Sequence, residues 1–201
     1  MLGGVLTEGA GGRRGRPRSA AVRDAVLAAA AELALAGGPA AATVDAIARR
    51  AEVSRTTIYK WWPSAAAIVL EGLLDSVRAS IRRPPGSSSL EALIHHVRSL
   101  NGILADPAVG PLLRNVIAAS SSDPAIERAV IDEWIAPRRE AAAVILRDAV
   151  ERAEISADTD VETVVDALVS PPYYRLVLGL PPLGDAQVER LTTAVWRGCG
   201  G

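Results

Sequence analysis

The sequence has very little of the chemistry that cross-links a chain or binds a metal. Its 201 residues include one Cys, Cys199, and two His, His95 and His96. A single thiol excludes both a disulfide framework and a thiolate metal cluster. The two His are adjacent, so on a helix their side chains diverge by about 100°, and we interpret them as structural. We therefore expect no metal and no cofactor, and a reducing, cytoplasmic setting.

Long apolar runs are also missing. No segment reaches the roughly 18 uninterrupted apolar residues that a membrane-spanning helix requires. The Gly-rich beginning lacks the apolar core of a signal peptide. Both absences predict a protein that makes no membrane contact and is retained in the cell.

Aromatic residues and lysine are scarce, and several of them are concentrated in one place. Phe is absent, and the only Lys, Lys60, lies between Tyr59 and two consecutive Trp. Charge is equally uneven, although the formal net charge is −1. Residues 13–60 carry eight Arg and one Lys against four acidic residues, a net charge of +5, whereas residues 61–201 carry −5. A basic N-terminal segment on an acidic body is typical of a DNA-binding unit joined to a second function.

Hydrophobic periodicity predicts an all-α fold of about nine helices without a convincing strand. Residues 1–18 are Gly-rich and then basic, without periodicity, which predicts a disordered arm. The helical pattern begins at Ser19, and Pro63 ends the third helix because a residue before Pro is disfavoured in the helical conformation. We therefore divide the rest of the chain into a three-helix domain, residues 19–63, and a helical body, residues 64–201.

Residues 44–63, VDAIARRAEVSRTTIYKWWP, have the form of a helix-turn-helix. Ala48 is small enough for two helices to cross closely, and Ser54 can cap the second helix. Ile58 and Trp62 recur at the spacing of that helix's inner face. Its outer face then carries groups able to reach base edges or phosphates in a major groove. These are Arg55, Thr56, Tyr59 and Lys60. From the spacing alone, an ordinary amphipathic helix pair with a solvated outer face is the alternative interpretation.

The stretch T-V-D-A-I-A-x-x-A-x-V-S-x-x-T-I-Y-x-x-W, which follows a first helix ending in Gly-Gly, resembles the DNA-binding domain of the tetracycline-repressor (TetR) family of transcriptional regulators. More loosely, three later segments are similar to the effector-binding and dimerisation region of one branch of that family: LRDAVERAEI (146–155), SPPYYRLVLGLPP (170–182) and VERLTTAVWRG (188–198). The resemblance implies a ligand-responsive, nucleoid-associated repressor. It would bind a near-palindromic double-stranded DNA operator as a homodimer and be released by a small-molecule effector.

The family motif also implies which residues contact DNA and where this chain departs from the pattern. The implied contacts are Arg16, Thr43, Ser54, Arg55, Thr56, Thr57, Tyr59 and Lys60. Glu52 stands where the family usually has Gly in the turn, so a non-Gly residue has to become left-handed at a cost of about 1–2 kcal/mol. Trp62 replaces the usual Phe. Ala65 or Ala66 stands where a phosphate-contacting Lys is common, so one backbone contact is expected to be missing.

The basic arm has two interpretations. Arg14-Gly15-Arg16-Pro17 matches the core of minor-groove hooks, in which extended Arg side chains enter a narrow A·T-rich groove. Alternatively, the arm is a plain basic tail that strengthens binding through counterion release.

The body is implied to bind the effector and to join two subunits. Helices near 160–179 and 185–198 each carry an apolar stripe, which suits either a four-helix interface between subunits or burial within the same chain. Pro171-Pro172 should interrupt helical hydrogen bonding, and Pro137 should kink a long helix. Candidate effector contacts are Asn115, Trp134, Tyr173 and Tyr174.

Two other classes of function stay open at this point. A hydrolase could use the scattered Ser, His and Asp, but the sequence contains no nucleophile elbow, metal-ligand spacing or phosphate loop, so we do not expect an enzyme. An architectural DNA-binding protein would have a packed, ligand-free body and would bind DNA without regard to sequence.

Overall fold

The computed structural model describes residues 16–77 and 83–200, and all regular structure within these ranges is helical. The helices are α1 (Arg16–Gly37), α2 (Val44–Arg50), α3 (Arg55–Tyr59), α4 (Ala65–Val77), α5 (Ser89–Ala105), α6 (Val109–Ser120), α7 (Pro124–Ala129), α8 (Ala136–Glu151), α9 (Val161–Leu178) and α10 (Asp185–Gly198), with a 3₁₀ turn at Pro39–Ala41 and a π-helical segment at Val130–Ile135. Because α7, the π-helical segment and α8 follow one another without a break, they form one long helix, and the described residues contain nine separate helices. The predicted all-α fold is confirmed. None of the described helices is both long enough and apolar enough to span a membrane.

The first helix starts earlier than the sequence pattern indicates. α1 begins at Arg16, so the last three residues assigned to the predicted arm are helical. Pro17 explains the difference, because proline is favoured in the first turn of a helix, where its missing N–H costs nothing. Residues 1–15 of the arm, including Arg14 and Gly15, lie outside the described residues.

Local signals shape the helix-turn-helix as predicted. The Thr43 hydroxyl accepts a hydrogen bond from the Ala46 N–H at 3.2 Å, and the Ser54 hydroxyl accepts one from the Thr57 N–H at 3.1 Å. Each contact satisfies an N–H group that a helix start otherwise leaves unpaired. In the turn between α2 and α3, Glu52 is left-handed with φ 56°, which confirms the strained conformation expected where the family has Gly.

α4 connects the N-terminal domain to the body. It packs against both α1 and the π-helical segment. At the crossing with α1, Gly72 lies so close that a Cβ there would come within 2.6 Å of the Leu27 carbonyl oxygen. Such a close approach fixes α4 against the domain that contains the helix-turn-helix.

The body is organised around α5, which packs against α6, α8, α9 and α10. Its start is held by a capping box, in which Ser88 and Glu91 each accept a backbone N–H from the other residue. Most of the predicted apolar stripe of α9 lies inside this core, whereas the stripe of α10 is buried at Val188 and only half-buried at Leu191, Val195 and Trp196. Val165, Leu168 and Val169 of α9 and Val188 of α10 are buried within their own chain.

The prolines of the body do not break its helices. α9 runs without interruption through Pro171 and Pro172, because its start is capped by Asp160 and its buried face continues on both sides of the pair. The long helix is likewise continuous at Pro137. Just before Pro137 the hydrogen bonding changes from the α-helical to the π-helical pattern. The Ala136 N–H donates to the carbonyl oxygen of Ile131, five residues back.

Candidate DNA-binding face and effector site

α3 has one buried face and one solvent-exposed face. Ile58 is 0 % exposed, and Trp62, just after the helix, is also buried. Tyr59 is 59 % exposed, and Thr56 and Lys60 are exposed as well. The prediction that Ile58 and Trp62 point into the protein is confirmed. The structure therefore places an aromatic, a hydroxyl and an ammonium group together on the surface of a short helix.

Arg55 lies on the same outer face but already has a partner. Its Nε forms an ion pair with the carboxylate of Asp45 in the first turn of α2. Both side chains are at least half exposed, so water screens the charges and the pair is weak. It orients Arg55 across the two helices of the motif without burying its charge.

The remaining residues predicted to contact DNA lie at helix starts. The hydroxyl groups of Thr43 and Ser54 cap α2 and α3 by accepting backbone hydrogen bonds. The Thr57 hydroxyl lies 2.9 Å from that of Ser54, so these two side chains support each other. Arg16 is the first residue of α1, and its side chain lies outside the described part of the structure.

A polar cluster of Arg23, Trp62, Glu71 and Asp75 anchors the helix-turn-helix to α4. The Glu71 carboxylate accepts hydrogen bonds from the indole N–H of Trp62 and from Arg23 of α1. Arg23 also donates to Asp75 at 3.3 Å. Sequence reasoning missed this cluster, although two acidic residues four apart on α4 give one face of that helix a charge that Arg23 can match.

The structure brings two of the four predicted effector contacts together and separates the others. The Trp134 indole N–H donates to the hydroxyl of Tyr173 at 3.0 Å, and Trp134 is fully buried. Tyr174 instead points outward and is 60 % exposed. Asn115 is an exposed residue of α6. Neighbours in sequence differ because a helix turns by about 100° per residue, so Tyr173 and Tyr174 cannot face the same site.

Asn115 belongs to a different concavity, between the N-terminal domain and the α6–α7 corner. This cavity has a volume of about 290 Å³, and its wall includes Ala65, Ala66 and Val69 of α4. Ala65 and Ala66 are the positions at which a phosphate-contacting Lys was expected to be missing. They are half-buried here and face the α6–α7 corner.

Sequence reasoning also missed Arg138, which is 1 % exposed. Its Cζ lies 3.3 Å from the centroid of the Trp134 ring, and its Nη1 donates to the Trp134 carbonyl oxygen at 2.8 Å. Burial lowers the pKa of Arg138 to about 10, and burial also raises the pKa of Tyr173. The spacing of Trp134 and Arg138, four residues apart, is the signal that could have revealed the stack.

The described residues contain no group of three His, Cys, Asp or Glu side chains arranged to hold a metal ion. His96 is buried in α5, and the ring of His95 lies 3.5 Å from the hydroxyl of Ser99 on the same helix.

Two family models match the chain. Residues 26–71 match "Bacterial regulatory proteins, tetR family", and residues 84–195 match "Tetracyclin repressor-like, C-terminal domain". The first match contains the helix-turn-helix, and the second contains Trp134, Arg138 and Tyr173.

Relatives with similar sequences are described as transcriptional regulators. An uncharacterised helix-turn-helix regulator of Bacillus subtilis, YdeS, is 31% identical over 186 residues, which cover 92% of this chain and 93% of the relative. The DNA-binding transcriptional repressor TetR of Mycobacteroides abscessus is 29% identical over 187 residues, which cover 90% and 93%. Among solved structures, the TetR family transcription regulator SCO0332 is 35% identical with a TM-score of 0.79, over 88% of this chain and 97% of that one.

Proposed function

The chain belongs to the TetR family of helix-turn-helix transcriptional regulators, and we propose that it is a ligand-responsive repressor. In this proposal it binds a near-palindromic operator as a homodimer and is released by a small-molecule effector. The proposal rests on the two opposite faces of the segment that begins with α3. Its inner face buries Ile58, and its outer face exposes Thr56, Tyr59 and Lys60.

That exposed face supplies chemistry suited to a major groove. Tyr59 and Thr56 can donate and accept hydrogen bonds at phosphates or base edges, and Lys60 supplies a compact positive charge. Arg55 can exchange its weak, solvent-exposed pairing with Asp45 for a phosphate or a guanine edge. The net charge of residues 13–60 favours the approach to DNA, whereas the acidic body disfavours DNA contact elsewhere.

Homodimerisation through α9 and α10 is supported by the apolar surface exposed at the end of α9 and by the apolar stripe of α10, most of which is only half-buried. Tyr174, Val177 and Leu178 at the end of α9 are between 49 and 60 % exposed, and Leu180 follows them. Large exposed apolar groups in one place indicate a contact surface. A two-fold symmetric dimer that reads consecutive major grooves needs its two copies of α3 about 34–36 Å apart on one face of the duplex, and its operator is then a near-palindrome.

In this proposal, α4 transmits the effect of effector binding from the body to the DNA-binding domain. The π-helical segment, which carries Trp134, packs against α4. Burial and the neighbouring charges of Glu71 and Asp132 raise the pKa of Glu133 in this segment, so the segment lies near the carboxylate that holds Trp62. An effector that binds better when this packing changes would shift the protein toward a form with misplaced α3 helices.

Operator binding tests the proposal. Labelled fragments of the DNA upstream of the protein's own gene would be titrated with protein, with fluorescence anisotropy as the readout and sedimentation reporting a dimer. Tyr59→Ala should weaken saturable binding by about 1–2 kcal/mol, about 5- to 30-fold. Lys60→Ala should also reduce the slope of log K against log salt by about 1 per subunit.

Arg128→Ala provides the control, because Arg128 is an exposed cation on α7 and does not belong to the helix-turn-helix. It should leave affinity and salt slope unchanged. Full affinity in the Tyr59 and Lys60 variants would refute the assignment of the outer face. Binding that is indifferent to sequence would instead support an architectural DNA-binding protein.

A further inference from the structure

Arg138 is a buried cation without a counter-ion among the described residues. It is 1 % exposed, and it forms no ion pair with a carboxylate within the described ranges. The next residue is a useful contrast, because Arg139 pairs with both Asp166 and Glu162 across α8 and α9. Leaving the buried Arg138 charge unpaired while its half-buried neighbour has two partners is energetically unfavourable.

The bonds that Arg138 does make leave one particular edge of the guanidinium open. Its face is covered by the ring of Trp134, and its Nη1 donates to the Trp134 carbonyl oxygen. Nε and Nη2 are both inaccessible to solvent and lack a hydrogen-bond partner in the described part of the chain. Their N–H groups lie parallel along the side of the guanidinium, the arrangement that matches the two oxygens of a carboxylate.

We propose that Arg138 binds a carboxylate group of the effector through Nε and Nη2, while Trp134 holds the guanidinium plane in position. This inference rests on the proposed effector response of the protein. One turn further along the same face of α8 lies Ala142, which is fully buried like Trp134. An apolar group next to the carboxylate would pack against these two buried apolar side chains, so the expected class is an apolar monocarboxylate.

The closed site explains how such a ligand would act on DNA binding. Because Nε and Nη2 are inaccessible, a carboxylate reaches them only when the helices around Trp134 separate. Trp134 belongs to the π-helical segment that packs against α4, and α4 carries Glu71, the acceptor for Trp62. Ligand binding thereby favours a form in which α4 has moved, and a ligand can shift the equilibrium only through such a preference.

The test compares carboxylates with matched neutral analogues on the full-length protein without DNA. The probes are 3-phenylpropanoate with 3-phenylpropanamide, and decanoate, below its micelle-forming concentration, with decanamide. Isothermal titration should show that a carboxylate binds about 10- to 100-fold more tightly than its amide. Arg138→Met should remove that preference. Arg138→Lys, which keeps the charge but lacks the parallel N–H pair, should retain only part of it.

Two controls separate recognition from folding. Arg147→Met removes an exposed Arg of the same helix, one that pairs with Glu140, and should leave carboxylate affinity unchanged. Arg138→Met should melt at or above the wild-type temperature, because an apolar chain of similar length replaces an unpaired buried charge. The comparison of carboxylate and amide on wild-type protein requires no variant and stands even if Arg138→Met is unstable.

Binding of neither carboxylate, equal affinity for carboxylate and amide, or a preference that survives in Arg138→Met would each overturn the assignment. Operator binding measured on the same preparation distinguishes the two proposals. Intact operator binding without carboxylate binding rejects the role of Arg138 and leaves the regulator in place. Carboxylate binding that depends on Arg138 in a protein that binds no operator rejects the regulator and leaves the anion site in place.

Discussion

Replacing Gly72 with Ala tests how closely α1 and α4 approach each other. A Cβ at this position would lie 2.6 Å from the Leu27 carbonyl oxygen. Because that oxygen belongs to the backbone of α1, no side-chain rotation relieves the contact, and one helix has to move. The substitution therefore acts on the joint between the DNA-binding domain and the body.

Two opposing effects set the expected change in stability. Alanine is favoured over glycine inside a helix by about 1 kcal/mol, whereas overpacking costs about 1–3 kcal/mol. The contact here is shorter than Cβ atoms tolerate, so the cost should lie at the upper end, about 2–3 kcal/mol. We expect a net loss of about 1–2 kcal/mol in the free energy of unfolding, which lowers the Tm by about 2–8 °C for a protein of this size.

Gly102→Ala is the matched control, because Gly102 is an exposed glycine of α5 with nothing within 4 Å of its added Cβ. It should gain about 1 kcal/mol. Urea and thermal denaturation of the three proteins would be followed by circular dichroism at one protein concentration, since the proposed dimerisation would make stability depend on concentration. If Gly72→Ala is stabilised as much as Gly102→Ala, α1 and α4 do not approach as closely as described.

Two further predictions concern the turn of the helix-turn-helix and the start of α9. Glu52→Gly should raise the free energy of unfolding by about 0.5–1 kcal/mol. It removes left-handed strain of about 1–2 kcal/mol, which exceeds the roughly 0.5–1 kcal/mol by which the greater freedom of Gly stabilises the unfolded chain. A loss of stability in urea denaturation would contradict this. At the start of α9, hydrogen bonds from the Thr163 hydroxyl and N–H lower the pKa of Asp160. The carboxylate therefore stabilises the fold above the ordinary aspartate pKa, and this contribution is lost as the pH falls through the lowered value. Asp160→Asn keeps the cap without the charge, so the difference between its urea midpoint and that of the wild type should shrink from about pH 7 to about pH 3; a constant difference would show that the charge contributes nothing.

The helix-turn-helix could be predicted from the sequence because its determinants are local. Ser54 caps α3 through a residue three positions away, and Ile58 and Trp62 share a face because they are four residues apart. Even the left-handed Glu52 followed from comparing one position with a family pattern. The Glu71 carboxylate that holds Trp62 required a tertiary contact, which periodicity does not contain.

The interior of the body was harder to predict, because the sequence does not show which of two adjacent residues of the same type is buried. Arg138 is buried and Arg139 is half-buried, just as Tyr173 is directed inward and Tyr174 outward. The π-helical segment changes the helical phase just before Arg138, so a regular period does not identify the buried Arg. Similarly, the stripes of α9 and α10 showed which faces are apolar but not how much of each face the same chain covers.

The shortness of α3 has a consequence for how the protein can be switched off. It spans only Arg55–Tyr59, far below the roughly 12–15 residues at which a helix is stable by itself in water. The surface offered to DNA therefore exists only while Ile58 and Trp62 are held by the helices beneath them. In the proposed repressor, withdrawal of α4 would therefore melt these five residues and release the operator by the loss of an ordered surface, as well as by a change in the distance between two intact ones.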